Sequence, residues 1–306
     1  MKRKLIVQGK GGYTVYLPKK WIDRKGLNAG DEINIVETDT ALLISSAVRE
    51  KKEISVEITK ENRKDIGNIL THLYRRGFDT IKIIGLDAKL LGEIKQTTNN
   101  LLLGFEITER DSKKCKIENI SEPTEQKYDV LLRRIFLIVK ETENIIKRDF
   151  TNNKFQSMKE IEEFRTQQDK YILFCKRMLT KEVYERNPAI DWELLTFLMH
   201  IEHAYYYLYK FASENKIKID KEIIKLLNNL HEYFELYYNA YYKKDMQYIH
   251  KINKLKMEFH FGKCLKLIEK SKGKNTVILS HIRELFRLIQ IGTSPILSEL
   301  LDKEIS

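Results

Sequence analysis

Lys4-Leu5-Ile6-Val7-Gln8-Gly9-Lys10-Gly11-Gly12-Tyr13-Thr14-Val15-Tyr16-Leu17-Pro18-Lys19-Lys20-Trp21 decides the architecture of the amino-terminal segment. Alternating side chains at Lys4–Val7 and Tyr13–Leu17 predict two strands, and the glycine cluster between them supplies a hairpin turn. Ile33–Val36 and Leu42–Ile44 predict two more strands, with Asn28-Ala29-Gly30-Asp31 as a turn. Pro18 suits the first position of a short helix through Trp21, Ile22 and Lys25, which Gly26 closes. Strands this short, with one or two helical turns, bury too little apolar surface to stand alone. The segment is therefore expected to pair with a second copy or to lean on its neighbours.

Within residues 1–30 the cations Lys2, Arg3, Lys4, Lys10, Lys19, Lys20, Arg24 and Lys25 face a single acid, Asp23. Such local asymmetry predicts contact with a polyanion, and strand alternation puts Lys2 and Lys4 on one face. Asp31, Glu32, Glu37 and Asp39 then dilute the charge. The whole chain of 306 residues carries +11, so it agrees in sign but not in intensity. Cys115, Cys175 and Cys264 lie far apart with no C-x-x-C spacing, and no secretory leader pattern opens the sequence. A reducing cytoplasm is the expected location. Arg133, Arg134 and Lys140 interrupt the most apolar helix, so no membrane insertion is expected.

From Lys51 the pattern changes. Ile54, Val56 and Ile58 predict a strand, Glu61–Arg76 a helix stopped by Gly77, and Thr80–Gly85 a second strand. A helix over Asp87–Leu103 and strands at Phe105–Thr108 and Cys115–Ile120 complete a βαβαββ connector or sensor domain over residues 51–120. Beyond Pro123 six amphipathic helices follow, with stripes such as Leu132, Ile135, Val139, Thr142 and Ile146, and Trp192, Leu195, Leu198, Glu202, Tyr205 and Leu208. Short polar breaks between them predict an antiparallel bundle over residues 121–306, ordered as two three-helix units. The expected fold class is a multidomain α+β chain.

The run Gly11–Trp21, followed by Gly26-Leu27 and Gly30-Asp31-Glu32-Ile33, resembles the SpoVT/AbrB swapped-hairpin DNA-binding domain. With the six-helix region, the whole chain resembles archaeal PhoU-type phosphate uptake regulators that carry an AbrB-like head. The resemblance implies a swapped-hairpin β-barrel over residues 1–48, homodimerisation through it, and a PhoU-like regulatory domain. It implies a cytoplasmic transcriptional regulator of phosphate uptake and homeostasis whose partner is DNA. Lys2, Lys4, Lys10, Lys19, Lys20, Arg24 and Lys25 would then meet phosphates and groove edges. The alternative is an adaptor whose helices bind a phosphate transporter or signalling protein while the head only dimerises.

PhoU bundles carry Glu-x-x-x-Asp motifs in the third helix of each repeat, where carboxylates gather metal ions. The matching positions here are Leu198 and Glu202, then Phe286 and Gln290, so most of the hard oxygen ligands are missing. Neither a metal nor any other cofactor is expected. His200-Ile201-Glu202-His203, with Asp169 from the preceding helix, is a candidate zinc or iron site. It lacks the flanking acid of the zinc-helix motif, and ordinary packing is the stronger reading. Glu202 on an apolar stripe needs a partner, with Arg165, Arg177 and Arg287 as candidates. The tyrosines at 205–209 and 237–242 are spaced for packing rather than for a ligand box. No Ser/His/Asp or Cys/His arrangement emerges, and no enzymatic activity is expected.

Overall fold

Gly9 and Gly11, at φ 67° and 97°, let the chain reverse between β1 (Ile6–Gln8) and β2 (Gly12–Thr14), a geometry that residues with a Cβ resist. The computed structural model describes residues 2–38, 41–46, 51–121, 125–181 and 187–305. β1 and β2 pair antiparallel with Ile6 opposite Thr14, and the Thr14 hydroxyl donates to Gln8 Oε1 at 2.5 Å. Pro18 leads into α1 (Lys19–Lys25), which Gly26 closes in a left-handed conformation. β3 (Ile33–Thr38) pairs antiparallel with β4 (Ala41–Ser46), Ile35 lying opposite Ile44.

These hairpins are two separate two-stranded sheets, and among the described residues no barrel closes within one chain. The expected barrel is corrected in that respect. β1 and β2 are also shorter than the alternation predicts. Leu5, Val15, Tyr16 and Leu17 fall outside the ladder, since among the described residues of one chain no strand lies beside them to hold them extended.

Residues 1–50 and 51–306 form separate compact units. In the second, β5 (Glu53–Glu57), a 3₁₀ turn (Arg63–Asp65), α2 (Ile66–Arg75), β6 (Thr80–Ile84), α3 (Ala88–Leu101), β7 (Phe105–Arg110) and β8 (Lys114–Asn119) follow in the predicted βαβαββ order. The sheet order is β5-β6-β8-β7, with β5 parallel to β6 through the α2 crossover and the other pairs antiparallel. Ile81, Ile83, Cys115 and Ile117 are buried and join the core residues Leu70, Tyr74, Leu90 and Ile94 of α2 and α3. By alternation the other sheet face carries Lys82 and Lys116, paired with Glu53 at 2.5 Å and with Glu109 and Glu118 at 3.1 Å.

The helical region comprises α4 (Glu125–Asn152), α5 (Met158–Lys181), α6 (Pro188–Glu214), α7 (Lys221–Lys243), α8 (Met246–Glu258), α9 (Cys264–Lys270), α10 (Lys274–Ile291) and α11 (Thr293–Ile305). Asn187, Asp220 and Asp245 cap α6, α7 and α8 by accepting from backbone N–H groups at 3.1, 2.9 and 2.8 Å. α4, α5 and α6 pack on one another, as do α7, α8 and α10, and the α6–α10 and α4–α7 contacts join the two sets. α2 and α3 rest on α5, so the sheet layer and the helices share one core. Two of the six predicted helices are interrupted. A π turn at Phe259–Lys263 separates α8 from α9, and Gly292 separates α10 from α11. A Cβ at Gly292 would lie 3.0 Å from the Leu288 carbonyl, 3.2 Å from the Tyr237 hydroxyl and 3.3 Å from Phe197, so a side chain there would have to displace these neighbours by a few tenths of an ångström. Among the described residues no helix is long and apolar enough to cross a membrane.

Candidate nucleic-acid interface

The predicted contact residues fall on three local structures. Lys2 and Lys4 precede β1, Lys10 sits in the β1–β2 turn, Lys19 and Lys20 open α1, and Arg24 and Lys25 end it. Lys20 and Arg24, four residues apart, share a face of α1. All are exposed except Lys25, which is half-buried. Among the described residues no carboxylate forms an ion pair with Lys2, Lys4, Lys10, Lys19, Lys20 or Arg24, and the same is true of exposed Arg3. These cations can therefore meet an anion without first breaking an internal pair.

The same segment has no buried side chain among its described residues. Leu5 and Val7 are 68% exposed, Tyr13 69%, Tyr16 67% and Leu42 64%. Large apolar side chains exposed together mark an interface. Local charge was readable from the sequence, whereas this apolar surface emerges only once the strands are placed.

The candidate metal ligands do not converge. His203 Nε2 lies 2.9 and 3.1 Å from the two Asp169 oxygens, while His200 is exposed. Glu202 is fully buried and accepts from the Thr142 hydroxyl at 2.7 Å. Among the described residues no three His, Cys, Asp or Glu side chains are grouped to hold a metal ion. None of the three arginines foreseen for Glu202 bonds to it. Arg177 donates to Asp79 at 2.7 Å, Arg287 to Glu284 at 2.8 and 2.6 Å, and Arg165 lies over the Tyr206 ring at 4.4 Å.

Sequence reasoning missed Glu143, whose carboxylate accepts from the Tyr205 hydroxyl and lies 3.0 Å from His231 Nδ1. Its adjacency to Thr142 on the α4 stripe was the available signal. Burial pushes the Glu202 carboxyl up to about 8. Burial likewise pushes Glu143 up to about 7 against the opposing hydrogen bonds from His231 and Tyr205. The Glu143 hydrogen bond in turn raises His231. The tyrosines pack as expected, with Tyr205, Tyr209 and Tyr237 buried and Phe136 ringed by Tyr237, Tyr238, Tyr241 and Tyr242 at 5.4–5.7 Å. No protein family, curated protein or solved structure matches this chain.

Proposed function

We propose that residues 1–48 of two chains interleave into a β-barrel that binds duplex DNA, and that residues 121–306 are the regulatory part of a transcriptional regulator. The observation that carries this reading is the coexistence, in one small unit, of exposed strand apolars and exposed unpaired cations. A second copy would cover Leu5, Val7, Tyr13, Tyr16 and Leu42, and the cations would lie on the outside of the assembly. The resemblance of Gly11–Trp21 and Gly30–Ile33 to SpoVT/AbrB domains supports the DNA reading. The link to phosphate uptake rests on the resemblance of the overall element order to PhoU-type regulators.

A salt titration of binding to mixed-sequence duplex DNA tests the proposal. Lys10→Ala, Lys19→Ala and Lys20→Ala together should weaken binding, and the slope of log affinity against log salt should flatten by about 0.9 for each phosphate no longer neutralised. Unchanged affinity and slope in the triple variant would overturn the assignment of these lysines to DNA.

A further inference from the structure

The amine of Lys176 is buried without an anion. It projects from α5, the residue is 3% exposed, and its Nζ donates to the Thr196 hydroxyl of α6 at 2.8 Å. Nζ lies 5.0 Å from the centre of the Trp192 ring, and the Arg75 guanidinium of α2 lies 5.9 Å from the same centre. Among the described residues neither Lys176 nor Arg75 pairs with a carboxylate, and the amine has no hydrogen bond besides the one to Thr196. An ammonium in that place would keep two of its three N–H groups unbonded with a second cation beside it, a costly way to bury charge. Burial and then the Arg75 charge push Lys176 down to about 8, against the weaker opposing pull of Asp169 on α5. His200 on α6 is held low in turn, by burial and then by the His203 and Lys176 charges.

An amine that gives up its proton near neutrality is a nucleophile, the more so beside another cation. The surroundings select its electrophile. Arg75, Trp192 and Thr196 are each half-buried, so the amine sits just beneath the surface, where only a small uncharged reactant fits. Arg75, free of any carboxylate among the described residues, suits an anionic product, because its planar fork binds a pair of carboxylate oxygens. Carbon dioxide is small and uncharged, and it becomes a carboxylate when it adds to an amine.

We infer that Lys176 takes up carbon dioxide as a carbamate that Arg75 holds. The amine lone pair attacks the carbon, an N–C bond forms as one C=O pair moves onto oxygen, and the proton on nitrogen leaves to water. The product replaces an unpaired amine with an anion that ties α5 to α2. The site lies in the unit of residues 51–306 and is independent of DNA binding by the head.

Carbon NMR of the full chain at pH 8 with isotope-labelled bicarbonate, which supplies carbon dioxide, tests this. The parent should show a carbamate resonance. Lys176→Met puts an apolar chain of similar length in the site and should abolish that resonance, with a melting temperature no lower than the parent's. Arg75→Met, at a half-buried position, gives an independent reading. It should weaken the signal about tenfold, because losing the guanidinium both returns the proton to the amine and removes the partner of the carbamate. The Lys10→Ala, Lys19→Ala, Lys20→Ala variant should keep the full signal. Absence of a carbamate resonance, its survival in Lys176→Met, indifference to Arg75→Met, or its loss in the head variant would each overturn the proposal.

Discussion

Glu202 shows how one side chain can set the pH response of a whole core. Its carboxyl is fully buried, one oxygen accepts from Thr142, and the other has no donor. Ionising it there is costly, hence its elevation to about 8. Below pH 4.5 both folded and unfolded chains hold the proton; between there and about 8 only the folded chain holds it, so stability falls as pH rises and levels off above. Glu143, raised to about 7, adds to the same trend, and His231, also raised, gives up the proton that attracts Glu143 in the same direction. Urea unfolding at pH 5.5 and pH 8 should show the parent losing roughly 2–4 kcal/mol, most of it through Glu202. Glu202→Gln keeps the shape, removes the proton and should flatten most of that dependence. A variant with the parent's full pH slope would place the cause elsewhere.

At the scale of elements, Arg177 joins the sheet layer to the helices. It projects from α5, is 1% exposed, and donates to the carbonyls of Tyr74 and Phe78 at 2.9 and 2.6 Å as well as to Asp79. Lys181, one turn further along α5, also pairs with Asp79. Burial opposes ionisation of Asp79, but Lys181, the Lys52 backbone N–H and Arg177 outweigh it and hold the carboxyl below its ordinary range. This contribution is present above the unfolded carboxylate range and is lost as pH falls through the lower folded value. Arg177→Met leaves Asp79 with one cation fewer and takes a donor from the Phe78 carbonyl, while the Tyr74 carbonyl keeps the Gly77 N–H at 3.0 Å. It should cost about 3–5 kcal/mol in urea unfolding, and hydrogen exchange should accelerate in α2 and β6 while α10 stays protected. Uniform acceleration throughout would show that Arg177 is not a local staple. None of this was legible in the sequence, because Arg177 and Asp79 are far apart in the chain and only packing of α5 on α2 brings them together. Short-range features were legible: the alternation of Ile81 and Ile83 and the stripe of α4 follow from period, whereas the caps at Asp220 and Asp245 were not read. The π turn at Phe259 left only a slight trace, the five-residue step from Phe259 to the buried Cys264 where an α-helical stripe repeats every three or four.

On the scale of the whole molecule, the contrast between its two units carries the argument. Residues 51–306 bury a continuous core from Ile66 to Leu300, whereas the described residues of the head are at most half-buried. Of the barrel expected from the Tyr13–Leu17 and Leu42–Ile44 patterns, the described residues form the two hairpins as separate sheets and no closed barrel. If two heads interlock, Leu42 lies in an apolar interface, and Leu42→Asp places an unpaired carboxylate there. Sedimentation should then find the parent as a dimer and Leu42→Asp as a monomer with the same helical circular dichroism, since α4 to α11 lie in the other unit. DNA binding links to this directly. A monomer presents half the cations, so its log affinity should fall with log salt at about half the parent's slope. A parent that sediments as a monomer, or a Leu42→Asp chain that keeps both the dimer and the full slope, would remove the interleaved head and leave the lysines to be explained one by one.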